Sequence, residues 1–277
     1  MHDLSAVETY LKDFHQRLAG STSAAFGALP ARGADARYPS SYAALAACVP
    51  DSPASQTVLD LGCGDGHLLK LLSDRRQASL HLIGVDMSQG ELDAARAALP
   101  DDVALLNERA QALSIATGTV DCVISHMAMM LMDDIEQVVR EVRRVLRPQG
   151  QFAAIVGRTF LLGEANEVFR DVFRSIAQEN AMPLSFGDAR TRSSAGWAEL
   201  LQHDFDALRV TDIDVDWSPR PEELWDSMTE TYSVDRLSAS AKATLQARFL
   251  HALTAIQQSD GTIRTGWGLR LIRAQAK

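Results

Sequence analysis

Three glycines within five residues, Gly62, Gly64 and Gly66, limit the possible folds of this chain more than any other feature. The apolar run at residues 57–61 precedes them and predicts a strand that is buried on both faces of a parallel sheet. Residues 67–72 then read as the start of a helix. Glycines at this density do not suit the interior of a strand or helix, but they suit a tight turn against a ligand. We therefore predict a strand–turn–helix unit whose turn borders a binding crevice.

Two details of this turn indicate which ligand it binds. The dinucleotide-binding pattern has a glycine at the sixth position of the turn, where this chain has His67. Asp60 ends the strand, and its carboxylate would repel a pyrophosphate but suits a ligand with cationic groups. S-adenosylmethionine has an ammonium and a sulfonium and no phosphate. Residues 58–66, Val-Leu-Asp-Leu-Gly-Cys-Gly-Asp-Gly, resemble the first motif of the class I S-adenosylmethionine-dependent methyltransferases of the small-molecule type.

The resemblance implies a complete fold. We expect an α/β fold with a Rossmann-like sheet of seven mostly parallel strands, the last one antiparallel. A helical lid is expected at residues 1–50, and the cofactor-binding domain at residues 51–277. Residues 20–38 read as a loop, and a helical insertion is expected after strand five, at about residues 159–206. Within the insertion, residues 182–196 are polar and read as mobile.

Composition and charge restrict the function. The 277 residues are 46% hydrophobic and 23% charged, as in ordinary soluble proteins, and no run is long enough for a membrane span. The first twenty residues lack the pattern of a signal peptide, and the three cysteines are far apart, so we expect a cytoplasmic protein without a metal site. A net charge of −9 argues against nucleic acid as a partner. We expect a monomer or homodimer that acts on a small molecule.

The second predicted strand ends in Asp86, about twenty residues beyond the glycine turn. An acid at this position is suited to the two hydroxyls of an adenosine ribose, and the resemblance implies that role. The alternative role is a helix cap, which Ser88 already provides. Met87 follows, where the family places an apolar residue against adenine.

The adenine contacts depart from the family pattern. After the third strand the family has an Asp-Ala pair, whereas this chain has Arg109, Ala110 and Gln111. The Ala110 amide is still suited to adenine, and Gln111 is a candidate to replace the missing acceptor. The resemblance assigns the cofactor to nine residues: Asp60, Gly62, Cys63, Gly64, Asp86, Met87, Ala110, Gln111 and Ser125.

His126 ends the fourth strand, next to Ser125, at the point where ligands bind in open sheets. It is the one titratable group there, and we consider it a general base with a pKa near neutrality or, alternatively, a structural histidine. Met130 belongs to a group of methionines that suits an adaptable pocket wall, although core packing explains them equally well.

Other substrate contacts follow from the lid and the insertion. Tyr38 and Tyr42 are candidates because the family often folds this segment over the active site, and packing on the sheet is the alternative. Arg190 and Arg192 are candidates to bind a substrate carboxylate.

The sequence thus predicts methyl transfer from S-adenosyl-L-methionine to an O, N, S or C atom of a small molecule, with S-adenosyl-L-homocysteine as product. A non-catalytic protein that binds this cofactor, a tRNA-type nucleic-acid methyltransferase and an NAD-dependent oxidoreductase remain as alternatives.

Overall fold

The computed structural model of the chain describes residues 4–180 and 184–277. The helices are α1 (Ala6–Arg17), α2 (Ser21–Phe26), α3 (Ser41–Ala46), α4 (His67–Ser73), α5 (Gln89–Ala98), α6 (Ile135–Val145), α7 (Glu164–Asn180), α8 (Ser194–Leu201), α9 (Pro221–Thr229), α10 (Tyr232–Asp235) and α11 (Ala239–Leu253). The strands are β1 (Ala31–Arg32), β2 (Arg37–Tyr38), β3 (Gln56–Leu61), β4 (Leu80–Asp86), β5 (Ala104–Asn107), β6 (Val120–His126), β7 (Leu146–Thr159), β8 (Phe205–Trp217) and β9 (Thr265–Ala276). Short 3₁₀ turns lie at Met129–Leu131 and Ala189–Arg192.

The strands form one mixed sheet with the order β2-β1-β8-β9-β7-β6-β3-β4-β5. Strands β3 to β7 pair in parallel, and β9 runs antiparallel to both β7 and β8. The chain order reverses between β3 and β6, so this pair forms the switch point of the sheet. Ligands bind at such a point, beyond the carboxyl ends of the strands.

The prediction of an α/β sheet is confirmed, but the sheet has nine strands rather than seven. Residues 20–38 were expected to form a loop, yet they contain α2 and the short hairpin β1–β2. The hairpin extends the sheet because β1 pairs antiparallel with β8. Two-residue strands give no periodic signal, so sequence patterns cannot reveal them.

Helices cover both faces of the sheet and create two apolar layers. One layer contains Leu45, Leu69 and Phe249, and the other contains Val138 and Phe152. Helix α6 shows why these layers form, since its valines repeat at helical spacing and are buried while its arginines face outward. The helix ends at Val145, and β7 begins at once with Leu146.

The insertion after β7 is helical, as expected, and contains α7 and α8. Of the segment that was predicted to be polar and mobile, residues 182 and 183 lie outside the described residues. The remainder contains the 3₁₀ turn Ala189–Arg192 and the start of α8. In the described part of the chain, no helix combines the length and apolar character that a membrane crossing requires.

Candidate functional site

The glycine turn lies at the switch point and packs closely against the loop after β6. Gly62 has φ +74°, and a Cβ atom built there would lie 2.5 Å from the Ala128 Cβ atom. Gly66 has φ +78° and leads directly into α4. Only glycine combines this left-handed backbone with so close an approach.

Two carboxylates flank the turn in different environments. Asp86 is held by the backbone: its Oδ2 atom accepts from the Gly64 N–H at 2.9 Å and its Oδ1 atom accepts from the Ser88 N–H at 2.8 Å. Asp60 is only 1% exposed, and its Oδ1 atom has no hydrogen-bond partner. Burial raises the pKa of Asp60 well above its usual value, and the nearby Asp86 and Asp65 carboxylates raise it further.

Two cavities meet at this turn and share Gly62 and Asp86. The first cavity, which we call the outer cavity, is lined by Met87, Ala110 and Gln111 on the sheet side and by residues of α1 on the other. The second, the inner cavity, extends past Gly64 and Asp60 to Tyr42 and His126. Seven of the nine predicted cofactor residues therefore line one or both cavities beside Asp86: Asp60, Gly62, Cys63, Gly64, Met87, Ala110 and Gln111.

Ser125 is the predicted cofactor residue that lines neither cavity. It is fully buried, and its hydroxyl donates to the Leu61 carbonyl at 2.7 Å. This bond ties the end of β6 to the end of β3. Ser125 therefore holds the two strands together at the switch point.

The outer cavity contains a hydrogen-bond acceptor on Gln111, the candidate to replace the acid that the family has in this region. The Gln111 side-chain amide nitrogen donates to the Asp133 carbonyl at 2.7 Å, which fixes the amide group. No described donor reaches the amide oxygen, so it is the acceptor that remains. Arg109, which takes the place of the family's acid, lines the same cavity.

His126 is buried against aromatic rings. Its ring stacks on Tyr42, with centroids 3.7 Å apart, and Phe26 meets it edge-on. The Nε2 atom lies 2.9 Å from the Ser41 hydroxyl, whereas the buried Nδ1 atom has no partner. Burial, together with the nearby His67, lowers the pKa of His126 to about 3. The expected pKa near neutrality was therefore wrong, because burial of the ring and the nearby His67 both disfavour the charged imidazolium.

The other predicted substrate residues are not all brought to the site. Tyr42 lines the inner cavity, whereas Tyr38 and Met130 are half-buried and line neither cavity. Tyr38 lies in β2 and Met130 in the 3₁₀ turn after β6.

Arg190 and Arg192 also lie away from both cavities. The Arg190 guanidinium pairs with Asp188 at 2.8 Å, Glu136 at 2.9 Å and Glu199 at 3.1 Å. Arg192 is exposed and donates to the Phe186 carbonyl. These contacts hold the insertion against α6 and α8 and leave neither arginine at the switch point.

Sequence reasoning missed a cluster that joins α1, α5 and α10 above the turn. The Nδ1 atom of His15 lies 2.8 Å from the buried Glu91 carboxylate, and its Nε2 atom lies 2.9 Å from the Tyr232 hydroxyl. Glu91 also accepts from the Gly20 N–H at 3.0 Å. His15 and Tyr232 are 217 residues apart, so no sequence pattern predicts their contact.

The chemistry of the cavities fits S-adenosylmethionine. In the described part of the chain, four carboxylates and no lysine or arginine line the inner cavity; they are Asp60, Asp65, Asp86 and Glu91. The unpartnered Asp60 oxygen is suited to a cationic group. The N–H of His67, at the start of α4, donates to the side chain of Asp65, so a carboxylate occupies the position that a phosphate would take. Among the described residues, no group of His, Cys, Asp or Glu is arranged to hold a metal ion.

Comparisons with known proteins agree with this geometry. Residues 59–154 match the family described as a methyltransferase domain. The chain is 36% identical over 105 residues to a malonyl-[acyl-carrier protein] O-methyltransferase of Methylovorus sp., covering 35% of each protein. It is 29% identical over 154 residues to a demethylmenaquinone methyltransferase of Lactococcus lactis, covering 54% of this chain and 59% of that protein. The chain therefore spans less than two thirds of the length of these relatives.

Solved structures show the same fold. Phosphoethanolamine N-methyltransferase 2 of Haemonchus contortus, in complex with S-adenosyl-L-methionine, is 17% identical and has a TM-score of 0.52. The similarity covers 85% of this chain and 52% of that chain. Residues 59–154 therefore match the methyltransferase domain family, in agreement with the predicted resemblance, and the chain shares the fold of these solved methyltransferase structures.

Proposed function

We propose that this protein transfers the methyl group of S-adenosyl-L-methionine to a nucleophilic atom of a small molecule. The observation that carries the proposal is the pair of carboxylates around the glycine turn. Asp86 is fixed by two backbone N–H groups, and Asp60 has a buried oxygen without a partner. One acid with two N–H partners and one with an unpartnered oxygen suit a ligand that has hydroxyl groups at one point and a positive charge at another.

Each half of the cofactor has a matching wall. Asp86 would hold the ribose hydroxyls, since each of its oxygens has a lone pair left after accepting one N–H group. Met87, Ala110 and Gln111 would surround the adenine, and Asp60 would face the ammonium group. When bound, S-adenosyl-L-methionine supplies a methyl group activated by a positively charged sulfur.

In this proposal the methyl acceptor occupies the inner cavity beside His126. With its Nε2–H donating to Ser41, the imidazole keeps a buried Nδ1 lone pair without a partner, and an acceptor O–H or N–H group that enters beside the ring would satisfy it. The low pKa of His126 keeps the ring neutral at physiological pH, so in this proposal the imidazole accepts a hydrogen bond that orients the nucleophile and does not serve as a strong base. Tyr42 limits the space on the other side of the ring. Alignment and exclusion of water supply the remaining rate enhancement, up to about 7–11 kcal/mol for well-oriented reactants.

The acceptor is a small molecule in this proposal; the two named relatives are a malonyl-[acyl-carrier protein] O-methyltransferase and a demethylmenaquinone methyltransferase. The first 50 residues serve as the lid in this proposal, since α1 contributes to both cavities and α2 to the inner cavity.

Isothermal titration calorimetry with S-adenosyl-L-homocysteine tests the cofactor site. We expect binding by the wild type and at least tenfold weaker binding by Asp86→Ala, because the ribose hydroxyls lose a charged acceptor. The control is Asp93→Ala, an exposed acid on the neighbouring helix α5, which should bind like the wild type. No heat with the wild type, or unchanged affinity in Asp86→Ala, would contradict the proposal.

Turnover separates an enzyme from a non-catalytic cofactor-binding protein. Small-molecule acceptors are offered with S-adenosyl-L-methionine, and release of S-adenosyl-L-homocysteine is measured. His126→Gln should lower kcat for an active acceptor and leave the affinity for the product unchanged within twofold. Turnover at the wild-type rate in this variant would remove His126 from the mechanism.

A further inference from the structure

The first turn of α1 is built from bonds that also reach the outer cavity. Ser5 caps the helix by accepting from the Glu8 N–H at 3.0 Å, and the Glu8 Oε2 atom accepts from the Ser5 N–H at 3.0 Å. This reciprocal pair is a capping box. The Ser5 hydroxyl also donates to Asp133, which lines the outer cavity.

Glu8 makes the second contact to the cavity through its other oxygen. The Oε1 atom accepts from the Arg109 Nε at 3.0 Å and also from the Nη2 atom of the same guanidinium. Both residues line the outer cavity, together with Ala110 and Gln111. The Glu8 side chain is 6% exposed and the Arg109 side chain 30%, so the pair is partly shielded from water.

Resting on the function proposed above, we propose that Glu8 is a cofactor-site residue supplied by the N-terminal helix. Its carboxylate fixes the Arg109 guanidinium at the adenine end of the cleft, where this chain has an arginine in place of the family's acid. The same carboxylate completes the cap of α1. Closure of α1 over the cofactor and formation of the first turn of α1 therefore depend on the same residue, and cofactor binding stabilises both.

The chemistry of the capping box allows the ion pair to be separated from the helix cap. Glutamine serves at the third position of a capping box as well as glutamate does, so Glu8→Gln keeps the bond to the Ser5 N–H. It removes the negative charge that holds Arg109. The matched control is Asp13→Asn, which breaks the exposed pair of Asp13 with Arg17 on the same helix.

Affinity for S-adenosyl-L-homocysteine is measured by calorimetry for four variants. Glu8→Gln and Arg109→Gln should each bind about tenfold more weakly than the wild type, and Asp13→Asn should bind within twofold. The double variant Glu8→Gln/Arg109→Gln should bind no more weakly than the weaker single variant, because both changes break one interaction. Wild-type affinity in Glu8→Gln, or losses that multiply in the double variant, would overturn the proposal.

Hydrogen exchange in the wild-type protein tests the same inference, with Glu8→Gln as a comparison. S-adenosyl-L-homocysteine should slow exchange at the Glu8 and Thr9 amides of the wild-type protein at least tenfold, and less so in Glu8→Gln. Unchanged exchange at these amides, in a wild type that binds the ligand, would overturn the role of Glu8 and leave the proposed function intact. Absence of binding by the wild type would contradict the proposed function and, with it, the role of Glu8.

Discussion

The Ser41 hydroxyl and the His126 Nε2 atom lie 2.9 Å apart in a buried contact that joins α3 to the end of β6. Ser41 follows the helix cap Ser40, so the start of α3 fixes the imidazole from one side. Tyr42, the next residue, stacks on the other part of the ring. Two consecutive residues of the N-terminal segment thus set the position and orientation of the histidine at the switch point.

Replacing Ser41 by alanine should destabilise the protein by about 1–3 kcal/mol, since it leaves a buried imidazole nitrogen unpaired. Urea unfolding at pH 7.5 measures this loss. In a His126→Gln background the loss should shrink, because the two residues share one bond. The control is Ser40→Ala, which removes the cap bond to the Ala43 N–H and should cost about 1 kcal/mol in either background. Equal losses for Ser41→Ala in both backgrounds would contradict the coupling.

The pKa of His126 predicts how stability depends on pH. The folded protein holds this pKa at about 3, below the usual 6.5, so between these values the unfolded chain binds more protons. Above pH 6.5 His126 therefore does not lower the free energy of unfolding. As the pH falls from 6.5 toward 3 the free energy of unfolding declines, and the loss is about 2 kcal/mol at pH 5. The raised pKa values of Asp60 and Asp86 have the opposite effect on the free energy of unfolding, which they increase as the pH falls. The effect of His126 is therefore measured as the difference between the wild type and a variant without this histidine.

We expect the free energy of unfolding of His126→Gln to fall less than that of the wild type between pH 7.5 and pH 5. Urea titrations at several pH values measure the two slopes. His203→Gln, at an exposed position, serves as the control and should follow the wild type. Parallel pH profiles for the wild type and His126→Gln would show that the imidazole is not kept neutral by the fold.

Asp60→Asn should separate stability from binding. The substitution removes a carboxylate that is buried with an unpartnered oxygen, so the melting temperature should rise by about 2–4 °C. Affinity for both S-adenosyl-L-methionine and S-adenosyl-L-homocysteine should fall, because both carry the ammonium group that Asp60 is proposed to face. Scanning calorimetry and titration calorimetry give the two quantities. A stable variant with wild-type affinity for both ligands would show that Asp60 has no part in the site.

Gly62→Ala should cost about 3 kcal/mol or more, because it combines a positive φ with a methyl group 2.5 Å from Ala128. The matched control is Gly118→Ala. Gly118 has a similar φ of +67° but no atom within 4 Å of the added methyl group, so only the backbone cost of about 1 kcal/mol remains. Chemical denaturation measures both. Similar losses for the two variants would mean that backbone conformation, and not close approach, requires the glycine at the turn.

The pair Arg190→Ala and Arg192→Ala should leave affinity for S-adenosyl-L-homocysteine within twofold of the wild type and should not change KM for an active acceptor. Arg190 is occupied by three carboxylates, and neither arginine lines a cavity of the site. The measurement is titration calorimetry together with steady-state kinetics. An increase in KM of more than about fivefold would return these arginines to the substrate site.

The amino-acid sequence determined the glycine turn, the parallel strands around it and most of the predicted residues that line the two cavities. These features follow from local chemistry: an apolar run predicts a buried strand, and an acid at the end of such a strand must lie at the carboxyl edge of the sheet. Asp86 is an example, since its place at the carboxyl end of β4 brings it to Gly64. Helix α6 was readable for the same reason, because its buried valines repeat at helical spacing.

Tertiary structure decided everything that depends on partners far apart in the chain. The pairing of Glu8 with Arg109, the burial that lowers the pKa of His126 and the added strand β1 all join segments that share no periodic signal. Arg109 stands where the family has an acid. The carboxylate that pairs with it belongs to Glu8, which only the packing of α1 across the outer cavity brings there. Spacing along a chain reports which side of an element a residue occupies, whereas charge neutralisation and desolvation depend on neighbours that only packing brings together.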